Sequence, residues 1–571
     1  MEAKKIIIFV ILLLLITLTS SCYHTGITSF YVQSATSPNN NLTDSEAPAP
    51  YMTRWLEVDG IHYLMIPNSA DIDNLKIYFE SSAPVFMDAY ELTSGEYTNI
   101  FANGNPITLR SGGHRYEVIA KQSSQIATLF IQTESHHLND IHADKSHREM
   151  AQILMICDDG ETILYDGKAD RFNGRGNTTW MMPKRPYNIR LEDSTDLLGI
   201  GDAKHRHWAL LADYLDHSRL RNTIAHSLAQ ELELEAAVRF RPVDVYINNE
   251  YMGLYLLTER VRIDTVLPIT DLEAATEDVN DERLDEFPQV GMLEFEPGSS
   301  RYFDIPYDPA DITGGYLLEL QFSYRYNSNP SAFVTTRGQA FMLSAPEFAS
   351  SAQMDYISGF IQEMEDAIYS ETGYNELGRH YTEYIDERSF AIMYVFQEFI
   401  MDLDAVWSSL FFYKESDLVG DGLLRVAPPW DFDQTLGRMG AIDLNDLNEG
   451  FFIANPEAFW VNTGTIHDHP DEMPHIMAAL WQHESFREFS MEIWNEVFAP
   501  IVAGLLGGSD VELEVLKSVH DYEAIIRDSV EMEWVRWGID FCHDEEVSFV
   551  VDFIERRIDF LNEQWRDASQ R

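Results

Sequence analysis

Cysteine is almost absent from this chain, with three residues in 571 at positions 22, 157 and 542. Such distant thiols exclude a disulfide-stapled scaffold, and without a Cys-x-x-Cys pair they exclude a cysteine-built metal centre. Cys157 and Cys542 are expected as buried thiols. Basic residues are scarce as well: 40 Lys and Arg stand against 94 Asp and Glu, for a formal charge of −54. A nucleic-acid binder needs a basic face, so that class is excluded. There is no Gly-x-Ser-x-Gly elbow and no His-Glu-x-x-His helix, which leaves hydrolase and zinc-enzyme readings without support. Long apolar runs are missing too, except for Ile6 to Ile16.

That run follows Lys4 and Lys5 and precedes Thr17-Leu-Thr-Ser-Ser-Cys22. It is too short to span a bilayer and reads as a secretory signal over residues 1–21. The small residues before Cys22 resemble a bacterial lipoprotein cleavage box, with Thr19 where an apolar residue is usual. Lipidation of Cys22 is the expectation, with the chain held outside the cytoplasm on the membrane surface. Residues 22–50, rich in Ser, Thr, Asn and Pro, read as a disordered tether. Residues 51–125 follow as a small all-β, sandwich-like domain with strands near Ile61–Ile66, Leu75–Glu80, Val85–Leu92 and Tyr116–Lys121.

From residue 126 the pattern changes. A strand at Ala127 to Thr133 and an apolar run at Ile153 to Cys157 lead to Arg171-Phe-Asn-Gly-Arg-Gly-Asn177 and Lys184-Arg185. Between 171 and 190 there are five basic residues and no acid. In a chain of this charge, that is an island of positive potential beside a glycine turn whose N–H groups can approach an anion. A helix is expected with Leu220, Ile224 and Leu228 on one face, capped by Asp216 or Ser218. A hairpin is expected at Val243 to Leu257, around Asn248-Asn249. The acidic stretch Asp271 to Glu286 reads as a solvated insertion without metal-ligand spacing. His467, His469 and His475 lie on a Pro-interrupted loop, a poor frame for a metal site. Helices are expected over Met354 to Tyr369, from Asp386 as N-cap to Met401, and at Leu480–Phe498, Glu512–Ile526 and Val547–Trp565. The order gives an α+β fold of two lobes within 126–571, strand-rich to about 345 and helical after it.

The stretch from Asp402 to Gly437 carries the densest chemistry. Asp404 is followed five residues on by Ser409, the separation between a catalytic Asp and a metal-binding Asn in kinase-type loops. Asp431, in Trp-Asp-Phe-Asp433, follows an apolar strand as a metal-chelating Asp would. Asp after an apolar run also serves as turn punctuation, so spacing alone leaves both readings open.

Taken in order, Gly174-Arg-Gly-Asn-Thr-Thr-Trp180, Pro183-Lys-Arg-Pro-Tyr187, Trp208-Ala-Leu-Leu-Ala-Asp213, Ser218-Arg-Leu-Arg-Asn222, Tyr251-Met-Gly-Leu-Tyr255 to Glu259, Gly314-Gly-Tyr-Leu-Leu-Glu319 and Pro429-Trp-Asp-Phe-Asp433 resemble the CotH family of spore-coat-type protein kinases. The resemblance runs from about Ala127 to Arg556. It implies an atypical two-lobed protein-kinase-like fold, with ATP and Mg²⁺ or Mn²⁺ as cofactors and Ser or Thr of exported proteins as acceptor. Carried over by position, Arg175, Gly176 and Asn177 would face the phosphates. Lys184 would be the phosphate-binding lysine, with Arg190 as second candidate. Glu259 would lie at the hinge near adenine, or else pair with Arg260 or Arg262. Asp404 would be the catalytic carboxylate and Asp431 the main metal ligand, assisted by Ser409 and Asp433. Three departures stand out: Ser409 replaces a common amide, Asp402 a common Asn, and Gln321 a common acid. They keep a second expectation in view, a catalytically weak pseudokinase acting as a surface binding or adhesion protein.

Overall fold

The computed structural model describes residues 26–33, 52–201, 204–263, 266–267, 269–291, 294–441, 451–539 and 542–566. The expected signal segment and Cys22 lie outside these residues.

Strand alternation organises the region from 127 to 259. Seven strands, Ala127–Thr133, Glu149–Ile156, Ile163–Gly174, Tyr187–Thr195, His205–Leu211, Phe240–Ile247 and Glu250–Glu259, close into a barrel. Closure comes from parallel pairing of the first with Phe240–Ile247, Leu129 opposite Val245. Residues two apart point the same way in a strand, so Leu129 and Ile131, Ile153 and Met155, and Val243 and Val245 fill the barrel interior.

Ahead of the barrel, the described residues to 122 form two sheets, of four and six strands, around a core that includes Phe30, Leu64, Ile77, Leu109 and Val118. Ile27–Gln33 is one of these strands and pairs with Leu75–Ser81, which corrects the expectation of a tether throughout 22–50. Its Phe30 and Val32 are fully buried; alternation decides the structure here, against a Ser- and Thr-rich composition.

After the barrel a second, seven-stranded sheet runs from Gln289–Gly291 to Leu424–Val426. Tyr316–Gln321 is an interior strand, between Ala340–Ala345 and Phe411–Lys414. Leu318, Phe341 and Phe412 of this sheet share one core with Ile357 of helix Ser351–Ile368 and Phe396 of helix Glu387–Ile400. Residues 289–345 therefore pack with the helices, and the division expected near 345 falls instead at the end of the barrel. The two bodies meet through Leu211, Leu256, Leu317, Phe411 and Trp430. Helix and sheet are mixed throughout, an α+β fold.

The helices follow their caps. Ser350 and Gln353 form a capping box, and Asp386 accepts from Ser389 N. Helix Arg221–Glu231 differs in detail: its N-cap is Leu220, while Asp216 reaches over to accept from Arg221 N at 2.8 Å. Ser518 caps Val519–Trp537, so this helix starts later than the apolar spacing at 512–526 predicts. The segment Glu484–Leu506 has the length and hydropathy of a membrane span, yet Phe486, Ile493, Trp494, Phe498 and Val502 of it sit in the main core. The cysteines depart from expectation. Among the described residues Cys157 and Cys542 are free, Cys157 half-buried and Cys542 exposed ahead of helix His543–Trp565.

Candidate active site

A cleft of about 710 Å³ opens between the barrel and the second sheet, and most of the predicted site faces it. Its floor is built by the stretch at 402–437. Helix Glu387–Ile400 ends at Met401, whose left-handed φ of 51° turns the chain back. Asp404 then starts a short 3₁₀ turn, where its carbonyl accepts from Trp407 N and Ser408 N at 2.7 and 2.6 Å. Leu403 N bonds Gln434 O and Leu436 N bonds Ile400 O. These bonds tie the Asp404 turn to the Asp431–Asp433 loop across about 27 residues of sequence.

Asp404, Ser409, Asp431 and Asp433 all line the cleft. Ser409 and Asp431 do so with left-handed backbones, at φ 57° and 71°. Asp402 is buried beneath them; its carboxylate accepts from Asp404 N at 3.2 Å and its carbonyl from Trp460 Nε1 at 2.7 Å. It supports the turn and does not line the cleft.

The nearby positive charge only partly offsets the burial of these acids. Burial first, then the Asp431 carboxylate, pushes Asp404 up to about 7, while Arg325 opposes. Burial raises Asp431 against the pull of Arg175 and Arg325. Asp433 is raised well above the carboxylate range by burial, then by Asp431, Asp213 and Asp404. Converging oxygen donors that repel one another are the donor set of a hard divalent cation, so the residues present fit the group that the resemblance implies.

The opposite wall is cationic. Arg175, Gly176, Asn177 and Thr178 line the cleft, as do Arg260, Arg262 and Lys145. Gly176 has φ 80°, and a Cβ there would stand 2.5 Å from Thr179 Oγ1, so only glycine fits the turn. The Arg175 guanidinium lies 5.2 Å over the Trp430 ring. Arg260 is lowered to about 9 by burial and then by Arg175, Arg262 and Arg171, a like-charge strain that a bound polyanion relieves.

Three predicted residues do not belong to this wall. Lys184 is fully buried behind the barrel, donating to Glu533 Oε2 and Ala212 O at 2.6 Å each and to Leu254 O. It is a structural cation without access to a ligand. Arg190 is engaged by Asp170 at 2.6 Å and does not line the cleft. Glu259 is 2% exposed and accepts from Arg239 N, Arg239 Nη2 and His205 Nε2, each at 2.8 Å. It is a buried anchor, paired with Arg239 and not with Arg260 or Arg262.

Other residues enter the site unpredicted. Glu319, from the interior strand Tyr316–Gln321, lines the cleft and is raised to about 7 by burial and then by Asp431. Its motif was visible in the sequence, but no role was legible there. Arg325 faces the acids from the 3₁₀ turn Ser323–Ser328. Asn222 donates to Asp213 Oδ1 at 2.8 Å and accepts from Phe432 N at 2.9 Å, while Arg221 Nε donates to Thr435 O at 2.8 Å. Helix Arg221–Glu231 thereby fixes the metal-side loop from behind. The acidic insertion also reaches the cleft: Asp271 caps helix Leu272–Asn280, and Asp271, Glu273 and Glu277 line it, while every acid of 271–286 except Glu273 is exposed, as a solvated stretch requires. The histidines do not converge on the cleft. His475 is a buried helix cap whose Nε2 bonds Val461 O, and His467 contacts Ser323 and Asp468.

No curated protein matches the chain. The family described as CotH kinase protein matches residues 172–561, well over half of the chain. The match begins within strand Ile163–Gly174 and ends within helix His543–Trp565. It therefore includes the glycine turn, the Asp404 turn and the Asp431 loop, and leaves the first two barrel strands outside. With cationic turn and acidic floor facing one cleft, and the match spanning both, the chain belongs to the CotH kinase family.

Proposed function

We propose that this chain is an extracytoplasmic protein kinase, transferring the γ-phosphoryl group of ATP to Ser or Thr of exported or surface proteins. The carrying observation is the split character of the cleft, with Arg175, Arg260, Arg262 and the Gly176 turn on one side and Asp404, Asp431, Asp433 and Glu319 on the other. Phosphoryl transfer needs both halves, cations against the phosphates and carboxylates for metal and hydroxyl. The kinase-like two-lobed reading fits the same arrangement, with the barrel as one lobe and the sheet with its helices as the other.

In this reading the Arg175–Thr178 turn cradles the phosphates, its backbone brought close by Gly176. Asp431, Asp433 and Ser409 hold Mg²⁺ or Mn²⁺, which supplies neutralisation of phosphate charge when bound. Asp404 accepts the proton of the acceptor hydroxyl, a task suited to a carboxylate raised to about 7. Glu319 and Arg325 set the field around it. The signal-like residues 1–21 and Cys22 support a lipid anchor on the outer face of the cell membrane, and the charge of −54 argues against nucleic-acid partners. A binding-only pseudokinase finds its support in Ser409, a hydroxyl where an amide is common.

Radiolabelled γ-phosphate from ATP should pass to a protein acceptor or to the chain itself, and Asp404→Ala and Asp431→Ala should each abolish it. Metal-dependent ATP binding without transfer would favour the pseudokinase. Neither binding nor transfer by folded protein would overturn both.

A further inference from the structure

The loop joining the first two barrel strands lies ahead of the family match and carries chemistry that phosphoryl transfer does not use. Asp140, on the short helix Asn139–Ala143, His147 and Glu149 each bring one ligand atom to within 4.8 Å of the others. Glu149 opens strand Glu149–Ile156 and is 8% exposed. Its Oε2 is held by Ser135 N at 3.2 Å and Ser135 Oγ at 2.8 Å, which orients the carboxylate. Its Oε1 is buried and accepts no hydrogen bond; it points at His147 Nε2, 3.5 Å away. That separation is too long for a good hydrogen bond. It matches the spacing of about 3.4 Å between two ligands that each stand about 2.1 Å from a tetrahedral ion.

We propose that Asp140, His147 and Glu149 bind a first-row divalent cation, zinc by ligand preference, at a site separate from the cleft. One imidazole nitrogen beside two carboxylates favours zinc over magnesium or calcium, which take all-oxygen shells. Ser135 serves as the outer partner that fixes Glu149, as ligating carboxylates require. Three protein ligands leave a fourth position to water.

The ion closes a loop that reaches the cleft. Between its ligands stands Lys145, whose Nζ donates to Gly176 O at 2.7 Å and to Asn177 Oδ1 at 3.4 Å. Asn173 Nδ2 in turn donates to Lys145 O at 3.4 Å. Binding of the ion holds Lys145 on the glycine turn. This consequence rests on the phosphate-facing reading of that turn, whereas the binding itself does not.

The test uses the full chain carrying Asp431→Ala and Asp433→Ala, which removes the two carboxylates assigned to the cleft metal. Cobalt is titrated and followed by its visible absorption, and zinc by calorimetry. One equivalent is expected to bind with the bands of low-coordinate cobalt. His147→Ala and Glu149→Gln should each weaken it by about 10-fold or more, with excess magnesium failing to displace it. Equal affinity and stoichiometry in the His147→Ala chain would overturn the proposal; His147 is exposed, so this variant should fold. Zinc should also slow hydrogen exchange over residues 139–149. Binding without that protection would overturn the loop-closing role alone, and the result in either direction is independent of kinase activity.

Discussion

Lys184 Nζ stands 2.6 Å from Glu533 Oε2, and neither side chain is exposed to solvent. Glu533 also accepts from Arg219 Nε at 2.6 Å and Leu254 N at 2.7 Å, so one carboxylate of helix Val519–Trp537 pins two cations and a barrel strand. Removing it leaves buried charges uncompensated. Glu533→Met should cost about 3–5 kcal/mol in urea unfolding, and Lys184→Met less, because Arg219 remains on Glu533. Unchanged stability in Lys184→Met, together with a rise of about 100-fold in KM for ATP, would return Lys184 to phosphate binding.

This pair marks the limit of what the sequence reveals. Asp404, Ser409, Asp431 and the turn at 175–177 were legible because each announces itself locally, as an acid, hydroxyl or glycine at a chain reversal beside an apolar strand. The phosphate-binding role of Lys184 rested on the resemblance alone; its burial depends on a partner 349 residues away. For Glu259 the structural ion pair stands but its partner differs, because Arg239 is brought to it from just ahead of the paired strand Phe240–Ile247. Glu319 is visible as the one charged residue in an otherwise mostly apolar strand, but its direction is fixed only once Phe411–Lys414 pairs beside it.

The cleft acids predict a distinctive pH dependence. Asp404 and Glu319 both stand at about 7, through burial and then the Asp431 charge. A carboxylate raised on folding favours the fold when protonated. Its contribution is full below its ordinary value of about 4 and is lost as pH rises through about 7. Without metal, the melting temperature should therefore fall between about pH 4 and about pH 7 more steeply in the native chain than in Asp404→Asn or Glu319→Gln. Magnesium, taking the place of the protons, should stabilise more at the higher pH. Equal slopes in all three chains would remove the raised carboxylates from the account.

The cationic wall is tested through nucleotide affinity. Arg175 is held between the Trp430 face and the pull of Asp431 and Asp213. A charge-assisted hydrogen bond contributes roughly 1.5–3 kcal/mol, so Arg175→Ala should weaken ATP binding by about 10- to 100-fold. Arg260→Ala should weaken it less, since burial and like charge already disfavour that guanidinium. Arg190→Ala, with its charge spent on Asp170, should leave ATP affinity within about twofold. Calorimetric titration of ATP separates the three, and equal effects at Arg175 and Arg190 would refute the assignment.

Ser409 decides between the catalytic and the binding-only reading, and its backbone makes the experiment clean. At φ 57° it occupies a conformation that asparagine tolerates better than most residues and glycine adopts freely. Ser409→Asn therefore places an amide oxygen in the cleft without strain; transfer should be kept or raised, with magnesium half-saturation falling several-fold. Ser409→Gly removes the oxygen, also without strain, and should lower transfer while leaving the melting temperature within the range of an exposed substitution. Ser409→Val removes the oxygen and adds a β-branched side chain in a left-handed backbone, costing about 1–2 kcal/mol of stability besides. The contrast between glycine and valine isolates the ligand role from the fold. Full metal-dependent transfer in Ser409→Gly would show that Asp431 and Asp433 suffice without the hydroxyl. An inactive native chain that Ser409→Asn makes active would show that this single hydroxyl is what separates a binding protein from a kinase.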